Sequence, residues 1–272
     1  MECENCYIFS SPKNDDLVYL KIEEVRTYLN EIEREKIPTE EIGITGGEPF
    51  MNPDIIAIIE ESLERGHKVL CLTNAMRPMM KCKDALLRLN KTYSDKFTLR
   101  VSVDHFKQEM HEEERGPRSW KPMILGLKWL SSNNFHIDIA GRTRWGENEK
   151  ELREGFATLF KKENVNINAF DKKHLILFPE MDEGAAVPEI TTDCWNILDI
   201  NPDDIMCATS RMVVKRKGDE KPSVQACTLL AYEQEFNMGE TLKEASQNVH
   251  LNHPHCAKFC VLGGGACSIN EE

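Results

Sequence analysis

Between residues 22 and 178 the chain alternates helical and strand-like periodicity, and this rhythm restricts it to folds built around a parallel sheet. Ile22, Val25, Leu29 and Ile32 recur at helical spacing in an otherwise charged stretch. A short strand is expected over 41–45, ending in Gly46-Gly47. The next helix is expected to start at Asn52-Pro53, an N-cap residue followed by proline. Ile55, Ile59 and Leu63 would line its inner face, and Gly66 is placed to end it. Further strands are expected over 68–73, 97–103, 135–140 and 175–178, separated by helices around 83–89, 120–131 and 147–162. Strands alternating with helices imply right-handed crossovers. In such sheets chemistry gathers beyond the C-terminal ends of the strands.

Past residue 193 the rhythm stops. Residues 212–218 are strand-like and basic, residues 239–245 read as a short helix, and 250–268 are rich in His, Cys and Gly without periodicity. A region unable to build an apolar core often depends on a bound metal. The expected domains are therefore an α/β domain over 1–192 and a small cysteine-rich module over 193–272. No run of about eighteen apolar residues is present, and the first residues lack a secretory pattern. A cytoplasmic setting without membrane contact follows as the default. The net charge of −12 argues against a nucleic-acid partner.

Ten cysteines in 272 residues are many. Without signs of export, metal ligation or catalysis is a better explanation than disulfides. Cys3 and Cys6 open the chain, and Cys207, Cys227, Cys256, Cys260 and Cys267 fall in its last quarter, whereas Cys71, Cys82 and Cys194 read as small buried apolar residues. Cys3-Glu4-Asn5-Cys6 alone is a weak signal, since redox and zinc sites share the spacing. Gly46-Gly47-Glu48-Pro49, at a strand end, lets the backbone turn sharply and a ligand approach closely, with a carboxylate beside it.

Taken together, the cysteine pair and the Gly-Gly-Glu-Pro turn resemble the radical S-adenosylmethionine (radical SAM) family. That resemblance implies a partial (β/α)6 barrel, a four-iron, four-sulfur cluster held by Cys3 and Cys6, and S-adenosylmethionine chelated to the cluster's open iron. One electron from the cluster would cleave the sulfonium and yield a 5′-deoxyadenosyl radical that takes hydrogen from a peptide or small-molecule substrate. A flavodoxin or ferredoxin would supply that electron. Gly46, Gly47 and Glu48 would meet the methionine amino group. Thr73, Asn74, Ser102 and Asp104, at later strand ends, would approach the ribose, and Arg142 would pair with the methionine carboxylate. His105, His111 and Arg115 are expected on the surface of the loop after the fourth strand. The family's first cysteine would fall four residues before Cys3, and its first strand is missing too, so a truncated N-terminus is expected. A family member that has lost its cluster is the blander reading.

The C-terminal cysteines resemble the auxiliary-cluster extensions of this family, called SPASM or Twitch. Cys207 and Cys227 flank an expected hairpin, and Cys256-x3-Cys260-x6-Cys267 follows. Five cysteines, or six with Cys194, suit one additional four-iron cluster, its ligands expected to be Cys207, Cys227, Cys256 and Cys260, with Cys267 able to replace one. Gly263-Gly264-Gly265 suggests close backbone approach or a tight turn. A tetrahedral zinc site using His253 or His255 is the structural alternative. A non-catalytic scaffold descended from such enzymes, or a zinc-stabilised enzyme of other chemistry, are the rival functions.

Overall fold

In the computed structural model, which describes residues 3, 6, 9–11, 13–180 and 186–262, the alternation is realised as a parallel sheet. The elements are β1 (Leu17–Val18), α1 (Ile22–Glu35), β2 (Glu41–Ile44), α2 (Ile55–Glu64), β3 (Lys68–Thr73), α3 (Arg77–Lys81), α4 (Lys83–Tyr93), β4 (Phe97–Ser102), α5 (Gln108–Arg115), α6 (Trp120–Ser132), β5 (His136–Arg142), α7 (Glu149–Glu163) and β6 (Leu175–Phe178). They are followed by α8 (Asp193–Leu198), α9 (Met206–Thr209), β7 (Met212–Arg216), β8 (Ser223–Gln225) and a π-helix over Cys256–Val261. None of the described helices is long and apolar enough to cross a membrane.

The chain forms two compact units, one containing residues 21–178 with Cys3, Cys6 and Ser10, the other containing residues 14–20 and everything after Phe178. Thr192, where a boundary was expected, lies within the second unit.

In the first unit, five parallel strands run in the order β2-β3-β4-β5-β6. Their register pairs Thr73 with Val101, Ser102 with Ala140 and Arg142 with Phe178, so the C-terminal ends of the strands share one edge. The central strands are apolar along most of their length, as both faces of a parallel sheet require. Val69, Cys71, Leu99, Val101 and Ile139 pack with Ile59 and Leu63 of α2, Leu86 of α4, Leu127 of α6 and Phe156 of α7. Each such side chain stabilises the fold by about 1.5–3 kcal/mol through removal from water.

Local chemistry sets the helix ends. Asn148 caps α7 in a reciprocal box with Glu151, and the left-handed Asn164 ends it. α2 begins at Ile55 rather than Pro53, because Asn52 Oδ1 accepts from Asp54 N (2.9 Å) and first closes a turn. Gly126 in α6 lies so close to the loop after β3 that a Cβ there would overlap the Ala75 carbonyl.

The second unit holds a three-stranded antiparallel sheet, β1-β7-β8, in which Leu17 pairs with Arg216 and Met212 with Gln225. The expected hairpin is the β7–β8 pair. Its core is small, with Val214, Val224, Leu230, Phe236 and Phe259 among the buried residues.

Candidate functional site

At the C-terminal edge of the parallel sheet, the turn after β2 uses its two glycines differently. Gly46 adopts φ +145°, where side chains are rarely tolerated, and a Cβ on Gly47 would collide with Ser10 Oγ. Ser10 in turn donates its backbone N–H to Cys6 Sγ at 3.3 Å. The cysteine segment therefore lies against the diglycine turn.

Glu48 ties this turn to the end of β3. Its Oε1 accepts from Thr73 Oγ1 (2.9 Å) and Phe50 N (3.3 Å), and its Oε2 accepts from Asn74 N (2.9 Å). Burial pushes its pKa up, against the pull of these hydrogen bonds. A carboxylate has about four acceptor positions, so one is left for a ligand. The Thr73 hydroxyl is committed on both sides, because it also accepts from Ala75 N at 3.0 Å. It holds Glu48 and the loop instead of reaching outward. Asn74 Oδ1 accepts from Met76 N (2.9 Å). Ser102 is half-buried and makes no side-chain hydrogen bond among the described residues.

The ends of β4 and β5 carry a buried charge cluster. Asp104 is 2 % exposed and Arg142 4 %. Asp104 accepts from Arg115 through both Nε and Nη2 (the latter at 3.2 Å), and from Arg142 Nε at 3.1 Å. Arg142 Nη2 lies 3.5 Å from Glu114, and Arg144 Nη1 closes the chain on Glu114 at 2.6 Å. Burial alone would raise the pKa of Asp104, but the two guanidinium groups outweigh it and hold the carboxyl below its ordinary range. Asp104 and Arg142 thus pair with each other, a link that the sequence reading had not made.

Cys3 is close enough to feel this cluster. Burial raises its thiol pKa, and the nearby Arg115 guanidinium opposes the rise. Burial likewise works against the charge of Arg115, yet Asp104 keeps its pKa above the ordinary value.

His105, His111 and Arg115 were expected on a surface loop, and the structure corrects this. Residues 108–115 form α5, which turns His111 and Glu114 inward, and His105 is fully buried. His105 Nδ1 accepts from Lys107 N (3.0 Å), so its proton sits on Nε2, 3.2 Å from Glu147. His111 is 0 % exposed, and its Nδ1 is 3.6 Å from Asp104. Its ring meets Trp120 edge-on, and neither ring nitrogen has a hydrogen-bond partner among the described residues. Burial pushes its pKa down to about 4.

In the second unit, Cys207 on α9, Cys227 just after β8, and Cys256 and Cys260 on the π-helix all line one small cavity that opens to solvent. Ile205, Leu229, Phe236 and His255 complete much of its wall. A π-helix is rare and frequently marks a functional position. Here it puts two cysteines four residues apart on the same cavity wall. Burial raises the thiol pKa of both Cys207 and Cys256. Among the described residues no three His, Cys, Asp or Glu side chains converge on a single-ion site. Four cysteines on one cavity wall are the donor set of a polynuclear cluster with thiolate ligands. Cys194 lies on α8, where its sulfur accepts from Thr191 N (3.5 Å), and it is not part of the cavity wall. Cys267 and Gly263-Gly264-Gly265 fall outside the described residues.

Comparison with known proteins follows the same lines. The family model of the Radical SAM superfamily matches residues 1–154. The chain is similar to the antilisterial bacteriocin subtilosin biosynthesis protein AlbA of Bacillus subtilis (strain 168), with 30% identity over 141 residues, covering 52% of this chain and 30% of that protein. Its fold is similar to Streptococcus suis SuiB bound to the precursor peptide SuiA (TM-score 0.50, 14% identity, 66% of this chain and 36% of that one). SuiB bound to S-adenosylmethionine gives TM-score 0.51 at 14% identity, over 72% and 42% of the two chains. The chain therefore spans less than half the length of these relatives.

Proposed function

The chain belongs to the radical SAM superfamily, and on that premise we propose that it cleaves S-adenosylmethionine reductively at the C-terminal edge of its parallel sheet and abstracts hydrogen from a peptide. The observation that carries this reading is the seating of the Cys6 segment on the Gly46-Gly47 turn through Ser10. It brings together two sequence features that lie 40 residues apart in the chain. Cys3 and Cys6 would hold the first cluster. When bound, such a cluster with S-adenosylmethionine supplies one electron to the sulfonium and a carbon radical for hydrogen abstraction.

The protein's own groups prepare that edge. The fourth acceptor position of Glu48 would receive the methionine ammonium, while its three internal bonds keep the turn and the end of β3 rigid. Asn74 and Ser102 would contact the nucleoside. Asp104 and Arg142 would act one layer further out, linking the ends of β4 and β5 to each other. Cys207, Cys227, Cys256 and Cys260 would hold a second cluster, with Cys267 able to replace one of them.

A peptide substrate is supported by the relatives: AlbA is named for the biosynthesis of the bacteriocin subtilosin, and SuiB was solved with a precursor peptide. A flavodoxin or ferredoxin would deliver the electron, in a cytoplasmic setting reducing enough to keep the thiols available. The test is anaerobic reconstitution with iron and sulfide, followed by iron analysis and measurement of 5′-deoxyadenosine after adding dithionite and S-adenosylmethionine. The wild-type chain should form 5′-deoxyadenosine, and Cys3→Ala with Cys6→Ala should abolish it while retaining the iron of the second site. No 5′-deoxyadenosine from a chain that holds one full cluster more iron than the Cys3→Ala/Cys6→Ala variant would refute the proposal.

A further inference from the structure

Arg211 stands immediately before β7, four residues after Cys207. Its guanidinium is spent on main-chain carbonyls. Nη1 donates to Cys207 O (2.5 Å) and Ser210 O (2.8 Å), Nε to Ala245 O (2.8 Å) and Nη2 to Gln247 O (3.1 Å). Two chain segments more than thirty residues apart are tied together by this one side chain. One is the short helix α9 that carries Cys207; the other leads toward the π-helix that carries Cys256 and Cys260.

The contrast with Arg115 gives the arrangement its meaning. Arg115 is neutralised by Asp104, whereas no carboxylate pairs with Arg211 among the described residues. Carbonyl dipoles solvate its charge without cancelling it. Its charge is held beside the ligand, since Nη1 donates to the carbonyl of Cys207 itself. A cluster bound by four thiolates becomes more negative on reduction. A fixed neighbouring cation therefore stabilises the reduced form more than the oxidised one and raises the potential.

We propose that Arg211 is the positioning residue of the second cysteine site, anchoring the turn that bears Cys207 and setting the cluster's potential with a cation that has no carboxylate partner. This rests on the reading that Cys207, Cys227, Cys256 and Cys260 hold a cluster.

The experiment uses the full chain with Cys3→Ala and Cys6→Ala, so that only the second site takes up iron. Iron and sulfide content and an EPR-monitored redox titration are compared for Arg211, Arg211→Lys and Arg211→Met. Arg211→Met should lower the iron content. In the clusters that remain, it should raise the oxidised-to-reduced ratio at fixed potential about tenfold, a fall of about 59 mV for a one-electron couple. Arg211→Lys, which keeps the charge but cannot span the four carbonyls, should lose iron and keep the wild-type midpoint. Should Arg211→Met hold no iron, Arg211→Gln supplies the same uncharged comparison with hydrogen-bond donors retained. A wild-type midpoint in the uncharged variants overturns the proposal, even if their iron content falls. A parent protein with no iron at the second site overturns the underlying cluster reading, which separates the two failures.

Discussion

His111 offers the sharpest test of the buried charge cluster, because its environment sets a sign and a size. Asp104, Arg115, Glu112 and His105 face it electrostatically, and Trp120 packs on its ring. Burial outweighs the attraction of Asp104, so the folded pKa falls from an ordinary 6.5 to about 4. Between these two values the unfolded chain binds a proton that the folded chain refuses. Stability must therefore fall as pH drops through this window. At 1.36 kcal/mol per pKa unit, the loss relative to pH 7.5 is about 2 kcal/mol at pH 5 and about 3 kcal/mol at pH 4. His111→Leu removes the titrating group while keeping an apolar volume. Urea unfolding of both proteins at pH 7.5 and pH 5 isolates the difference, because the remaining titratable groups are present in both. The variant should lose about 2 kcal/mol less than the wild type on acidification. Equal losses, or an NMR titration placing His111 at or above pH 6, would refute the reasoning.

Asp104→Asn leaves Arg115 and Arg142 buried without their shared counter-charge, and urea unfolding at pH 7.5 should show a loss of about 3–5 kcal/mol. Gly126→Ala drives a Cβ into the Ala75 carbonyl, which no rotamer change can relieve. A net loss of about 1–3 kcal/mol is expected despite the better helix propensity of alanine, and a thermal melt at or above the wild type would contradict the tight approach. Thr73→Val removes the donor to Glu48 and the acceptor of Ala75 N, costing about 1–3 kcal/mol in the same assay. It should also weaken S-adenosylmethionine binding in a calorimetric titration of the reconstituted protein.

What the sequence by itself determined was whatever short-range periodicity and chain chemistry encode: five strands with their crossover helices, the diglycine turn, the β7–β8 hairpin, and which cysteines fall in the last quarter. Apolar spacing along a strand or helix is local, and a glycine at φ +145° announces itself by its lack of a side chain. Tertiary structure decided which polar groups go inside. Residues 108–115 have too few apolar positions to signal an inward face, yet α5 buries His111 and Glu114. Asp104 meets Arg115 across 11 residues and Arg142 across 38, because β4 and β5 lie side by side in the sheet. Nothing in the sequence marks Ser10 or Arg211, since a backbone N–H and a guanidinium bound to carbonyls acquire their roles only when distant segments are brought together. Hydrophobic spacing fixes the scaffold locally, whereas the pairing of charges is set by Coulomb forces in a low-dielectric interior, which act between neighbours in space.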